Sequence, residues 1–434
     1  MFPVVPRSRV ACRLACTSLL FVLAAFAAPN ALAAGRVCDP AKFGAKADGT
    51  TKDTKAIQAA IDACAAQGGG TVTLNKGTYL SAPIILKDHI TLAVETGSVL
   101  LGSPDHGDYP VMSVFRNPGS QSLVTAANAH DLTITGGGVI DGNGESWWKE
   151  ARGQHDHGVM GKVVFRPRLL VFDHCQHILI ENVTVQNSPS WQIVPYYSDD
   201  ITIRNIKVLA PDKSPNTDAI DPFSSSNILI DHVYADVGDD NIAIKSGAID
   251  SPGPDAPSTN ITIVNCTFDH GHGLSIGSEL AGGAQHIHAD NIHFKGTDNG
   301  IRVKANRDRG ADVSDLTFKH IDMQDVKVAI LISEYYPKVL PPEGGNPPQK
   351  ITRLTPFFSN ILVEDVTAVG SEMAGVIVGL PESPVKGVVL NNINISATTG
   401  MTISDAEVTG EKVTVKAKSG KDIDILPTAK VKIK

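Results

Sequence analysis

Apolar and polar residues alternate in short bursts along most of this chain, and the bursts repeat. Each opens on a polar residue, runs as Ile-x-Ile or close to it, skips two residues and closes on a second apolar pair. The pattern appears as HITLAV at Ile90, DLTITG at Leu132, HILIENVTV at Ile178, DITIRNIKV at Ile201, NILIDHVYA at Ile228 and NITIVNCTF at Ile261. It returns as HIHADNIHF at Ile287, DLTFKHIDM at Leu316, NILVEDVTA at Ile361 and GVVLNNINI at Val388. A period of two within each burst specifies strands, not helices. From Ile178 onward the bursts are 23, 27, 33, 26, 29, 45 and 27 residues apart, and the 46 from Leu132 to Ile178 reads as two steps of 23. A recurring period of this size marks a solenoid, in which each strand stacks on the same strand of the next turn. Ile and Val then fill the interior and polar residues face out.

The uneven spacings predict loops inserted between coils, notably the Pro-rich stretches Ser251–Thr259 and Tyr336–Thr355. A solenoid end exposes its core and needs a cap. Thr54–Gln67 supplies one, because Ala56, Ile57, Ala60, Ile61 and Cys64 fall on one helical stripe. Asp53 is the expected N-cap and Gly68-Gly69-Gly70 the stop. No boundary interrupts residues 35–434, which read as one domain. Thr398–Lys434 is Lys-rich and strand-like, either a closing sheet or terminal coils.

Composition fits an aliphatic coil with many turns: 42% hydrophobic, 5% aromatic and 39 Gly in 434 residues. The first 34 residues read as an export signal. Arg7, Arg9 and Arg13 precede the apolar run Thr17–Ala28, and Ala31-Leu32-Ala33 offers a cleavage site. The run is too short to favour a membrane span, so a secreted or periplasmic protein with no membrane attachment is expected. Losing three Arg and no acid takes the formal net charge from −8 to −11, which argues against a nucleic-acid partner. Of six Cys, Cys12 and Cys16 leave with the signal. Three pairings of Cys38, Cys64, Cys175 and Cys266 are open. Cys38–Cys64 is the preferred one, since both flank one short N-terminal unit, while Cys175 and Cys266 lie in strand runs as small hydrophobes.

Chemistry concentrates on consecutive coils: Asn216-Thr217-Asp218, Gly238-Asp239-Asp240, Gly271-His272-Gly273 and Arg302-Val303-Lys304. Each motif alone is an ordinary turn or a solvated strand face. Together, with strands about 4.8 Å apart, equivalent positions should stack into one outward ridge of three carboxylates, an imidazole and two cations. Crowded acids repel, so at least one should titrate high. One protonated acid and one carboxylate are what glycoside hydrolysis requires. Arg302 and Lys304 share a strand face and suit a sugar carboxylate. No motif converges enough ligands for a metal, and no cofactor is expected.

These four motifs resemble the signature of glycoside hydrolase family 28, the polygalacturonases. FGAKADGTTKDTKAIQAAI, GGGTVTL, RPRLLVF, SPSWQI, GDDNIAIKSG, GHGLSIGSE and NGIRVKANRDRG resemble family segments too, so the likeness spans roughly Phe43 to Ser396. It implies an all-β, right-handed, single-stranded parallel β-helix that cleaves α-1,4-galacturonosyl linkages of polygalacturonate or pectin, with inversion and without metal. It implies Asp239 as general acid, Asp218 and Asp240 as the pair activating water, and His272 as support. Asn216, Arg302, Lys304 and Tyr336 would bind substrate, with Arg302 and Lys304 on the leaving-group side and Tyr335 a close rival to Tyr336. A monomer is expected. Ala219 departs from the Gly the family often carries there, and its methyl could narrow the groove or change the bend.

Rival readings are a rhamnogalacturonan or xylogalacturonan hydrolase of the same family, a Ca²⁺-dependent pectate lyase and a non-catalytic carbohydrate-binding solenoid. His286 and His288, two apart, lack a third ligand. Trp147, Trp148 and Trp191 read as packing anchors before sugar platforms. Loops at Ser103–Gln121, Asn143–Val163 and Tyr336–Thr355 could wall one end of a groove and so decide between internal and terminal attack.

Overall fold

The computed structural model describes residues 35–156, 165–247, 255–342 and 346–434. The expected export signal lies outside the described residues. Arg36–Lys434 forms one compact unit, and among the described residues no helix is long and apolar enough to cross a membrane.

The bursts are strands of a right-handed parallel β-helix with three faces. On the first face Leu132, Ile178, Ile201, Ile228, Ile261, Ile287, Leu316, Ile361 and Val388 are successive register partners. The spacings counted in sequence are therefore coil lengths. One differs from expectation. Leu132 pairs directly with Ile178, so those 46 residues make one coil, not two. The excess is an insertion that includes the helix Glu145–Asp156.

The polar residue before each burst has a backbone reason. His89, Asp131, His177, Asp200, Asn227, Asn260, His286, Asp315 and Asn360 all turn the chain at φ between 53° and 59°. Asn, Asp and His tolerate this left-handed region better than other side chains. A tight corner then feeds the next strand, and the β-branched Ile residues alternate into a core where most are fully buried. His286 is one of these corners, paired with Asp315 at 3.3 Å.

The cap helix runs Thr54–Ala65 and buries Ala56, Ile57, Ala60, Ile61 and Cys64 as its stripe requires. Asp53 makes no side-chain cap. Its carboxylate instead accepts the backbone N–H of Lys46 and Ala47 at 2.7 and 2.8 Å, tying the preceding loop to the helix start. Cys38 and Cys64 are disulfide-bonded across 26 residues, while Cys175 and Cys266 are free and buried. Closing a loop of that length contributes about 3.5 kcal/mol on the chain-entropy account. At the far end Val385–Ser404, Ala406–Ile425 and Lys430–Ile433 continue the parallel register as terminal coils.

Candidate active site

The site lies on the third face. Its strands include Leu170–Asp173, Ile193–Tyr196, Ile242–Ile244, Leu274–Ile276, Asn299–Lys304 and Val328–Ser333. Ile193, Ile220, Ile242, Leu274 and Ile301 are register partners. Two residues before each stand Trp191, Asp218, Asp240, His272 and Asn299. Asp218, Asp240 and His272 thus stack as the motifs suggest. Arg302 does not belong to that column: its register partner is Ser275. Arg302 and Lys304 join the acids by reaching back along their side chains.

Gly-His-Gly is a backbone requirement. Gly271 and Gly273 sit at φ 91° and 86°, and a Cβ would fall 2.5 Å from the Asp239 carbonyl oxygen and 2.0 Å from that of Asn299. This close approach sets His272 Nδ1 2.9 Å from Asp239 Oδ1, with Nε2 3.5 Å from Asp298. Asn216, itself at φ 55°, donates to Asp239 Oδ2 at 3.4 Å and accepts from Arg166 at 2.6 Å.

The three acids sit in different surroundings. The Asp240 side chain is 2% exposed, and Lys304 Nζ at 2.7 Å, Arg302 Nη1 at 3.1 Å and Ser275 Oγ at 2.8 Å surround it. Burial opposes its charge, but Lys304, Arg302 and Lys245 overcome that and hold it well below the usual carboxylate range. Asp218 is equally buried, yet among the described residues its one ion pair is with Lys245 at 3.7 Å. Burial, with Asp239 and Asp221 alongside, raises its pKa well above normal. Asp239 is the acid with access, its side chain 20% exposed. Burial opposes protonation of His272, but the hydrogen bond and charge of Asp239 outweigh it and raise the imidazole's pKa.

Several partners were not singled out by sequence. Asp221 is fully buried beside Asp218 and 3.7 Å from Lys245, and burial pushes it up to about 7 against the pull of Lys245. Lys245 lies within 3.7 Å of Asp218 and Asp221 and 3.4 Å from Glu279. Burial disfavours its charge, but Glu279 and the aspartates raise its pKa well above normal. Lys245 and Glu279 fall in GDDNIAIKSG and GHGLSIGSE. Register places Lys245 in one column with Lys304, through Gly277.

Three expectations need correction. The two cations were expected to face outward, but Lys304 is only 5% exposed and is committed to Asp240. Arg302 keeps more access, and its buried Nε has no hydrogen-bond partner among the described residues. The Ala219 methyl packs in the coil interior, fully buried in the apolar core, so it does not narrow the groove. Ligand groups do converge: among the described residues Asp239, Asp240 and His272, and separately His89, His130 and Asp131, hold donor atoms within 4.8 Å of one another. In the first triad Asp240 already carries Lys304 and Arg302, which would repel a divalent cation there.

Tyr336 closes the C-terminal side, its ring centroid 5.4 Å from Lys304 Nζ, 6.0 Å from the Arg302 guanidinium and 5.7 Å from that of Arg309. Tyr335 turns away, its hydroxyl accepting from Asn346 at 2.5 Å. Trp147 and Trp148 are buried anchors, Trp147 stacked on His106 and Trp148 bonded to the Ser188 carbonyl. Trp191 lies between Arg168 and Lys245, at 4.4 and 4.8 Å.

A parallel β-helix with carboxylates of unequal burial stacked beside cations on one face is an arrangement suited to glycoside hydrolysis. The sequence matches glycosyl hydrolases family 28 over residues 90–420, and the chain belongs to that family. It is 32% identical over 371 residues to a probable polygalacturonase of Vitis vinifera, covering 81% of this chain and 73% of that one. An endo-polygalacturonase of Pectobacterium parmentieri is 31% identical over 374 residues, covering 82% and 87%. Among solved structures, a hyperthermoactive exopolygalacturonase from Thermotoga maritima superposes with a TM-score of 0.73 at 27% identity, over 92% of this chain and 90% of that one.

Proposed function

We propose that the chain is an exported polygalacturonase that hydrolyses α-1,4-galacturonosyl linkages with inversion and needs no metal. The observation that carries this reading is geometric: Asp218, Asp240 and His272 stack in one column, and Asp239, the most accessible of the three acids, meets His272 at 2.9 Å. Asp240, buried and held ionised by Lys304 and Arg302, is the charge that draws a proton from water. Asp218, raised in pKa and one coil away, positions the same water. Asp239, the acid with most access and bonded to His272, donates its proton to the leaving oxygen. The glycosidic C–O bond breaks as water adds to the anomeric carbon from the opposite side, and Asp240 takes the water's proton.

Arg302, with Tyr336 and Arg309 around it, holds the leaving sugar's carboxylate. That cluster favours a uronate over a neutral sugar. Lys304 acts through Asp240 as a positioning residue. Residues 35–434 act as one catalytic domain in a monomer. The test is polygalacturonate with the purified chain in excess chelator. Reducing ends should rise with no ultraviolet-absorbing product. An absorbing, unsaturated product whose formation needs added Ca²⁺ would mean elimination, and binding without turnover would mean a carbohydrate-binding solenoid.

A further inference from the structure

On the N-terminal side of the acids, the outward positions of the third face include a cluster of apolar side chains: Val171, Val194, Tyr196 and Phe223. All four are buried, at 8% exposure or less, and one insertion packs over them. Val111–Val114 and Asn117–Ser120 form an antiparallel hairpin whose two tip residues, Phe115 and Arg116, both turn at positive φ. The Phe115 ring lies 4.3 Å from Tyr196, 5.6 Å from Phe223 and 6.3 Å from Trp191, with the Arg168 guanidinium 4.3 Å over it. Arg116 covers Tyr197 at 4.7 Å and reaches Asp255, which also meets Arg353, each at 3.7 Å.

The hairpin is anchored at its base. Lys52 pairs with Asp108 at 2.6 Å, His106 stacks on Trp147 at 3.4 Å, and Ser120 Oγ donates to the Phe165 carbonyl at 2.7 Å. Its place along the groove follows from register. Trp191 stands in the column of Asp218, one coil earlier, and Phe223 shares a coil with Asp218. One coil is about 4.8 Å, close to the length of one sugar. The covered floor thus begins within about one sugar of the acids, opposite Arg302 and Tyr336.

We propose that the hairpin Val111–Ser120 ends the groove on its N-terminal side. The chain then attacks polygalacturonate from the non-reducing terminus and releases mono- or digalacturonate. This rests on the polygalacturonase reading, with Arg302 on the leaving-group side. A longer chain on the far side of the cleaved bond would have to lift Phe115 out of its aromatic pocket.

The test separates the two claims. The full chain is incubated with polygalacturonate, and products at the lowest measurable conversion are separated by size. Mono- or digalacturonate alone is expected from the first time point, with viscosity falling slowly for the reducing ends released. Oligogalacturonides capped at the non-reducing end by an unsaturated uronate should react about 10²-fold more slowly, since a closed site rejects the changed terminal sugar. Replacing Ser113–Pro118 by an Asn-Gly turn should release longer oligomers, and Phe115→Ala should shift products the same way with less disturbance to folding. A ladder of oligomers from the unaltered chain at the first time point overturns the wall and leaves the polygalacturonase reading standing. No hydrolysis of polygalacturonate removes that reading and the wall with it.

Discussion

Two places in this molecule stack carboxylates against imidazoles, and they behave differently. At the corner of the first face His89, Asp131, His177 and Asp200 follow one another coil by coil. Asp131 gathers His89, His130 and His177 at 3.0, 2.9 and 3.1 Å. On the third face Asp218, Asp240 and His272 stack by the same geometry, and Asp239 meets His272 at 2.9 Å. The distances are alike, but the corner side chains are about half exposed, whereas Asp218, Asp240, Lys245 and Lys304 are nearly sealed. At the corner each shift favours the charged form: His130 rises beside Asp131, and Asp131 falls beside His130. On the third face neighbouring aspartates part in opposite directions. Coil stacking supplies proximity, and burial with an unequal share of cations moves the carboxyls of Asp218 and Asp240 in opposite directions.

The sharpest way to break this contrast is Asp239→Asn. It should cut kcat/KM on polygalacturonate by about 10²–10⁴-fold or more with the melting curve unchanged, whereas Asp131→Asn should leave turnover alone. Near-normal rates from purified Asp239→Asn would end its assignment as proton donor. Next in size is Lys304→Ala. Because Lys304 is buried against Asp240, its loss should destabilise the fold by about 3–5 kcal/mol and also lower turnover, as Asp240 regains a proton more easily. A melting temperature unmoved by Lys304→Ala would show that the pair contributes little to the fold.

The last comparison concerns pH. The folded pKa of Asp221, about 7, lies above its ordinary 3.8. Between these values the folded chain holds a proton that the unfolded chain has released. Stability from this group therefore falls as pH rises from about 4 to about 7, by up to about 1.4 kcal/mol per unit. Asp221→Asn removes the penalty, so thermal unfolding should show it stabilised at pH 7 relative to pH 4.5. Asp131→Asn should shift melting by no more than about 1–2 °C at either pH, as exposed pairs contribute little. Equal effects of Asp221→Asn at both pH values would mean that Asp221 is ionised throughout.

Much of this was legible in the sequence because the fold repeats. Every burst from Leu132 to Val388 names a residue that pairs with the next, and the cap stripe at Ile57, Ile61 and Cys64 is buried as its spacing requires. The coil from Leu132 to Ile178 was misread, since an insertion of helical residues can mimic the length of a missing turn. At the site the motifs place Asp218, Asp240 and His272 in one column. Burial was not legible: Arg-x-Lys says that two cations share a face, but not that Lys304 is sealed against Asp240. Asp221 and Lys245 were hidden for a similar reason, as a lone charge in an apolar strand reads as solvated until its neighbours are known.

The account stands most directly on the anomer first released from polygalacturonate, followed by proton NMR before mutarotation. A water activated by Asp240 and Asp218 opposite the proton donor Asp239 must arrive on the face away from the broken bond. The initial product should therefore be the β-anomer, inverted from the α-linkage. An initial α-anomer would mean that a carboxylate attacks the sugar directly, and would contradict the division of roles assigned to the three acids.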